Sequence, residues 1–245
     1  MSGGTNEKIG VRIWRGDQRT GAWADYEVPR QPSQTVLDVV TWIQRHAEPA
    51  LAYRFACRVG MCGSCAMTVN GEPRWTCRTH VQNVLDNNRL DIGPLRNLPV
   101  IKDLVTDMTE FFEKWVAAKG VFEPSASRTD PLARISPQSE PRQRANDGIE
   151  CINCAVCYAA CDTVAQHPGY LGPAALNRAW TLVNDERDAG NTVRLAAVTG
   201  PEGCTNCHSH QSCERYCPNE LNPTGAIAGL KRTAMAGLFR RGAHR

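Results

Sequence analysis

Apolar and polar positions alternate along residues 8–15, with Ile9, Val11 and Ile13 on one side. A period of two predicts a half-buried strand. A Gly-containing turn follows, and a second strand is predicted around Trp23 to Val28. The period then lengthens. Val36, Leu37, Val39, Val40 and Ile43 make a helical stripe, opened by Ser33 or Thr35 as the cap. Ala66 to Val69 and Glu72 to Cys77 flank Asn70-Gly71, which predicts a hairpin because both turn residues accept positive φ. Arg89 to Ile92 supplies another strand. Over 101–118 the spacing of Leu104, Val105, Met108, Phe111, Phe112 and Trp115 predicts a helix with one apolar face.

Residues 121–147 carry Pro124, Pro131, Pro137 and Pro141 among Ser, Arg, Asp and Gln, the composition of an extended connector. From 148 onward the chain is predicted helical. Gly172-Pro173 starts a helix running to about Asp188, with proline where a missing N–H costs nothing. Asn222-Pro223 starts a last helix through about Leu238. The division is therefore a small sheet domain over 1–105, a helix and connector over 106–147, and a helical domain over 148–245.

Length and charge narrow the classes. A chain of 245 residues, 42% hydrophobic, holds about two domains with real cores. A net charge of +3 provides no global field for nucleic acid. The N-terminus has no apolar core of a secretory signal, and no apolar stretch approaches the ~20 residues of a membrane helix. The expectation is a protein soluble by itself in a reducing compartment. Twelve cysteines stand out, grouped four each in 57–77, 151–161 and 204–217. A chain this long does not need disulfide staples, so grouped thiols point to metal.

Cys57, Cys62, Cys65 and Cys77 follow C-x4-C-x2-C with a fourth cysteine further on, the plant-type two-iron ferredoxin spacing. Gly60, Gly63 and Ser64 are small enough to let backbone approach the sulfurs and direct N–H groups at them. A structural zinc site typically uses paired short spacings, which x4 followed by x2 does not make.

Cys151, Cys154, Cys157 and Cys161 follow C-x2-C-x2-C-x3-C, a run whose fourth cysteine serves the other cluster in two-cluster ferredoxins. The same steps from Cys207 land on His210, Cys213 and Cys217, followed by Pro218. The two segments are an internal repeat with one ligand replaced. Exchanging fourth ligands gives Cys151, Cys154, Cys157 and Cys217 to a 4Fe-4S cluster. Cys161, Cys207 and Cys213 supply three thiolates, which suits a 3Fe-4S cluster. Two alternatives stay open: His210 as ligand to a fourth iron, since imidazole binds iron, and Cys204 as an additional contact.

The segments CRVGMCGSCAMTVNG (57–71), IKDLVTDMTEFFEKW (101–115), CINCAVCYAAC (151–161), YLGPAAL (170–176) and CPNELNPTGAI (217–227) together resemble the iron–sulfur subunit of the succinate dehydrogenase and fumarate reductase family, closer to the fumarate reductase type. The resemblance runs from about residue 9 to 235. It implies an α+β chain: an N-terminal β-grasp, plant-type ferredoxin-like domain with a 2Fe-2S cluster, and a C-terminal all-α, bacterial-ferredoxin-like (helical ferredoxin) domain. It implies an FAD flavoprotein partner, a hydrophobic membrane anchor with or without haem, and a quinone. It places the chain peripherally on the cytoplasmic side of the inner or plasma membrane. Electrons would pass from flavin through the two-iron, four-iron and three-iron clusters to quinone. His208 and Lys231 match positions near the quinone.

The chain also departs from the family. Asp162 follows Cys161 where proline is usual, and Thr163, Val164 and Ala165 replace the aromatic pair of ubiquinone-type members. Both changes fall beside the expected quinone pocket. They leave open an iron–sulfur wire serving a soluble or differently anchored flavoenzyme. A third class, a metal-stabilised interaction module without redox function, is separated from both by colour and acid-labile sulfide. The tail carries Lys231, Arg232, Arg240, Arg241 and Arg245 and no acid, as expected either of a segment facing anionic lipid or of a disordered solubilising tail.

Overall fold

The computed structural model describes residues 7–242, excluding the side chains of 147 and 237–242. By internal contacts the chain forms two compact units. One comprises Met1–Met108 with Cys154–Ala159, the other Thr109–Asn153 with Ala160–Arg245. The cysteine-rich turn 154–159 thus groups with the sheet that precedes the proline-rich connector, not with the helices that follow it.

The first unit contains a five-stranded mixed sheet. Strands β1 (Lys8–Gly16), β2 (Gly21–Pro29), β3 (Ala66–Val69), β4 (Glu72–Trp75) and β5 (Arg89–Gly93) lie in the order β2-β1-β5-β3-β4. β1 pairs antiparallel with β2 and parallel with β5, while β3 is antiparallel to both β4 and β5. The alternation in β1 buries Ile9, Val11 and Ile13. Helix α1 (Val36–His46) contributes Val36, Val39, Val40 and Ile43 to the same core. Each such side chain stabilises the unit by about 1.5–3 kcal/mol on burial. Thr35 is the cap: its hydroxyl accepts from the Asp38 N–H at 3.2 Å, and the Asp38 carboxylate accepts from the Thr35 N–H at 3.0 Å. This reciprocal pair satisfies two otherwise orphan donors. Ser33 stands earlier, at φ 56°.

The helix predicted over 101–118 begins only at α2 (Thr109–Ala117). Before it, β6 (Val100–Lys102) and β7 (Val105–Thr106) form a small hairpin. Asp103 is the reason. It sits at φ 52°, outside helical conformation, and its carboxylate accepts from the N–H groups of Gly16 and Ala52 at 3.0 and 2.9 Å. Arg15 pairs with it at 3.0 Å. Leu104 is thereby drawn into the sheet-domain core, while Phe111 is buried in the second unit. The apolar face read from spacing is split between two cores.

The second unit is helical. Its elements are α2, α3 (Glu140–Ile149), α5 (Asp162–Gln166), α6 (Pro173–Val183), α7 (Asn191–Val198), α8 (Ser212–Arg215) and α9 (Pro223–Gly242); the intervening α4 (Val156–Ala159) belongs to the first unit. The expected connector ends early, because Ser139 caps α3 through the Arg142 N–H at 3.3 Å, with proline in the first turn. α6 is central and packs against α2, α3, α7 and α9. Its buried residues lie on every side, as a helix enclosed by others requires. A fully buried pair, Arg194 with Asp188, clips residues 119–123 onto the α6–α7 loop. The guanidinium donates to Asp188 at 2.6 and 3.1 Å and to the carbonyls of Lys119 and Val121 at 2.9 and 3.0 Å. Asp188 also accepts from the Glu123 and Gly190 N–H groups. Every charge is met by a partner, which a buried ion pair needs to be tolerated.

Burial opposes ionisation of Asp103, but the bonds from Ala52, Arg15 and Gly16 outweigh it and hold its carboxyl below the ordinary value. Its stabilisation is therefore full above the unfolded carboxylate pKa near 3.9 and is lost as pH falls through the lower folded value. Asp103→Ala is expected to cost on the order of 3 kcal/mol at neutral pH by orphaning buried donors. The loss should be read in denaturant and should shrink at strongly acid pH. An equal loss at all pH values would refute the assignment.

Candidate cluster sites

The first cysteine group lies on a loop between α1 and β3 and on the turn after β4. Cys65 opens the hairpin and Cys77 follows it by two residues, outside the strand proper. Two bonds hold these ends together: the Thr76 hydroxyl and N–H both donate to the Cys65 carbonyl, at 2.7 and 3.3 Å. The start of α1 secures the same turn, since Val36 and Leu37 N–H groups donate to Thr79 and Thr76 carbonyls. Amides turn toward sulfur throughout the loop. Met61 and Val59 donate to Cys57 Sγ at 3.2 and 3.4 Å, and Cys57 donates to Cys62 Sγ at 3.5 Å. The Ser64 hydroxyl lies 2.9 Å from Cys62 Sγ. That hydroxyl, with the Cys57 and Ser64 amides, pulls the exposed Cys62 thiol down to about 6. Burial, then the adjoining Cys65 thiol, pushes Cys77 up to about 11, against the Gly60 amide. Cys57 also acts on Cys77, so the four thiols share one neighbourhood.

Gly63 stands at a close packing point of this loop. Its φ is +71°, and a Cβ there would lie 2.7 Å from Cys154 Cβ and 2.8 Å from Cys154 Cα. Cys154 and Cys157 belong to this first unit, where Asn97 Nδ2 donates to the Tyr158 carbonyl at 2.9 Å. The other two expected partners of that set lie in the second unit. There Cys151 is raised by burial and then by its neighbour Cys217. Asn219 Nδ2 fastens the two segments by donating to the Glu150 carbonyl at 2.7 Å.

Cys161, Cys207 and Cys213 come together in the second unit around one cavity, also lined by Asp162, Tyr170, His208 and His210. Burial raises the Cys161 thiol, and Cys207 adds to the shift against the nearby Thr163 and Val164 amides. Burial likewise pushes Cys213 up to about 11, with Thr224 Oγ1 opposing from 3.6 Å. The Ser209 N–H donates to Cys207 Sγ at 3.4 Å. Lys231 Nζ donates to the Cys207 carbonyl at 2.6 Å, which ties α9 to the ligand loop. Cys204 is fully buried beside Lys231 and Cys207 and is not among the described residues lining the cavity. Of the basic tail, Arg232 is exposed; Arg245 and the side chains of Arg240 and Arg241 lie outside the described residues. Tyr170 is the residue that motif spacing missed. It is buried with its hydroxyl beside Cys207, and only the YLGPAAL resemblance marked its segment.

The residues fit iron–sulfur clusters. All twelve cysteines are thiols, without cystine bridges. The donors are sulfurs in company, with amides and hydroxyls aimed at them and a glycine where a Cβ would collide. Among the described residues no three His, Cys, Asp or Glu side chains converge on a single metal ion; a cluster takes its thiolates around a polynuclear core.

The chain is an iron–sulfur electron carrier with two cluster-binding domains. Residues 10–113 match the 2Fe-2S iron-sulfur cluster binding domain, and residues 150–222 match the 4Fe-4S dicluster domain. It belongs to the family of fumarate reductase and succinate dehydrogenase iron–sulfur subunits. It is 36% identical to the fumarate reductase iron-sulfur subunit of Mycobacterium tuberculosis, over 85% of this chain and 84% of that protein. It is 32% identical to the subunit of the same name from Haemophilus influenzae, over 82% of each. The mitochondrial succinate dehydrogenase [ubiquinone] iron-sulfur subunit 1 of Oryza sativa is 35% identical, over 80% of this chain and 70% of that protein. A chain of the Mycobacterium smegmatis Sdh1 complex in the apo form superposes with a TM-score of 0.85 at 27% identity, covering 96% of this chain and 98% of that one. The α+β architecture expected of the family is the one observed.

Gly63→Ala should lower iron and acid-labile sulfide per chain, because positive φ costs an alanine about 1–2 kcal/mol and its methyl meets Cys154. Gly71→Ala is the control. It has the same handedness at φ +82°, but nothing lies within 4 Å of its Cβ. Equal loading of the two variants would show that the contact with Cys154 is immaterial.

Proposed function

We propose that this chain carries electrons between an FAD-containing flavoprotein and a membrane quinone through three clusters. Cys57, Cys62, Cys65 and Cys77 hold the two-iron centre. Cys151, Cys154, Cys157 and Cys217 hold the four-iron centre, and Cys161, Cys207 and Cys213 the three-iron centre. The clusters supply one-electron redox chemistry, which divides the electron pair exchanged between a dicarboxylate and flavin. The chain's own residues set positions and fields. Amides of the 57–65 loop, Ser64 and Ser209 direct positive dipoles at the sulfurs, and burial excludes water from Cys65, Cys77 and Cys213.

The observation that carries the reading is the cavity shared by Cys161, Cys207 and Cys213. Its described lining holds three cysteines and no fourth. Three thiolates match a cube lacking one iron. His208, which lines that cavity, and Lys231, bonded to the Cys207 carbonyl, are the residues nearest to where the terminal acceptor would take its electron. By its resemblance to the family, the quinone side belongs to a separate hydrophobic anchor, and this chain sits peripherally at the cytoplasmic face; no helix among its described residues is long and apolar enough to cross a membrane. Asp162 favours a second reading, a different anchor or acceptor, because it sets an acid at the same cavity where the family carries proline.

Purification of the intact complex tests both. The expected outcome is a brown preparation with a flavoprotein and a hydrophobic subunit, reducing quinone with succinate. Electron paramagnetic resonance of the oxidised protein should show a three-iron signal, absent after Cys213→Ala. A fully loaded protein without that signal would overturn the ligand assignment. Succinate-dependent dye reduction without quinone reduction would select the second reading.

A further inference from the structure

We propose that the Tyr170 hydroxyl donates a hydrogen bond to the Cys207 thiolate and thereby raises the reduction potential of the centre held by Cys161, Cys207 and Cys213. The inference rests on the assignment of that centre made above, and it gives a named residue control over the centre's potential.

Tyr170 is only 1% exposed, and its ring lines the same cavity as the three thiols. Two backbone bonds hold it there: its own N–H donates to the His167 carbonyl, and the Leu171 N–H to the Glu202 carbonyl, both at 2.9 Å. It stands just ahead of Gly172 and α6, the central helix of its unit, and its side chain is enclosed by protein. A buried phenol needs a partner for its O–H, and the thiols of Cys161, Cys207 and Cys213 line the cavity with it. The Cys207 sulfur is the one within hydrogen-bonding reach of the hydroxyl.

The consequence follows from charge. Reduction adds one electron to the centre, and part of that negative charge reaches the thiolate sulfurs. A donor to sulfur is held more strongly by the reduced form, and it counts for more where water is excluded. The Ser209 amide reaches the same sulfur at 3.4 Å, so Tyr170 adds to an existing donor. Phenylalanine fills the same space and removes only the O–H, which separates tuning from packing.

The experiment uses the intact complex carrying Tyr170→Phe, titrated redox-potentiometrically with the three-iron resonance as readout. The signal should keep its shape. At the wild-type midpoint the ratio of reduced to oxidised centre should fall about tenfold, a shift of about 59 mV to lower potential for one electron. Electron–nuclear double resonance after deuterium exchange should show an exchangeable proton coupled to the centre in the wild type and missing from the variant. Incorporation of 3,5-difluorotyrosine at 170 keeps the ring and strengthens the donor, and should move the potential upward. This arm stands even where Tyr170→Phe fails to assemble. An unchanged potential in either substituted protein, with the three-iron signal present, overturns the inference and leaves the cluster assignment standing. Absence of the three-iron signal from the wild type removes the assignment itself, and the inference with it.

Discussion

Everything in this molecule depends on keeping several thiolates in company inside protein. Sulfur anions repel one another, and burial alone disfavours them. The chain shows that cost directly, since burial raises Cys77, Cys151, Cys161 and Cys213. The remedy is local and made of dipoles. Backbone amides of the 57–65 loop, the Ser64 hydroxyl, the Ser209 amide and Thr224 all meet sulfur. The iron of a cluster completes the neutralisation, because metal binding takes the deprotonated thiol.

The scaffold serves this constraint in two ways. In the sheet unit, the first turn of α1 fastens the turn bearing Cys77, so the helix that closes the core also fixes that thiol. In the helical unit the cysteines sit on turns too short to hold themselves. Their position comes from α6, from α9 through Lys231, and from the Arg194–Asp188 clip that secures the preceding segment. Short ligand loops on long packed elements are a general solution for a rigid site, and rigidity limits the reorganisation that accompanies each electron.

Membership of the fumarate reductase and succinate dehydrogenase family explains why one chain joins two ferredoxin-like domains. A pair of electrons leaves or reaches a dicarboxylate together, and clusters move them singly. Asp162, where the family usually carries proline, lines the cavity of the three thiols. Tyr170 faces that cavity too.

Much of this was legible in the chain. The alternation of Ile9, Val11 and Ile13, the Thr35–Asp38 cap and the Asn70-Gly71 hairpin are local patterns, and each element appeared where its pattern lay. The cysteine spacings were equally local, and the thiols of 57–77, and those of 161, 207 and 213, lie near one another in the structure. The helix over 101–118 failed for a definite reason. Its spacing was helical, but Asp103 found distant partners at Gly16, Ala52 and Arg15, and tertiary hydrogen bonds outweighed a weak propensity. The connector was shortened by the Ser139 cap, a signal present but outvoted by proline content.

The amino-acid sequence by itself determined most of the elements and the grouping of the cysteines along the chain, because caps, turns and spacings act over a few residues. Only the tertiary structure decided that Cys154–Ala159 groups with the sheet domain, that Gly63 packs on Cys154, and that a tyrosine at 170 stands against the sulfur of Cys207. Those are meetings of residues far apart in the chain. No local pattern encodes them, since they exist only after the cores have closed.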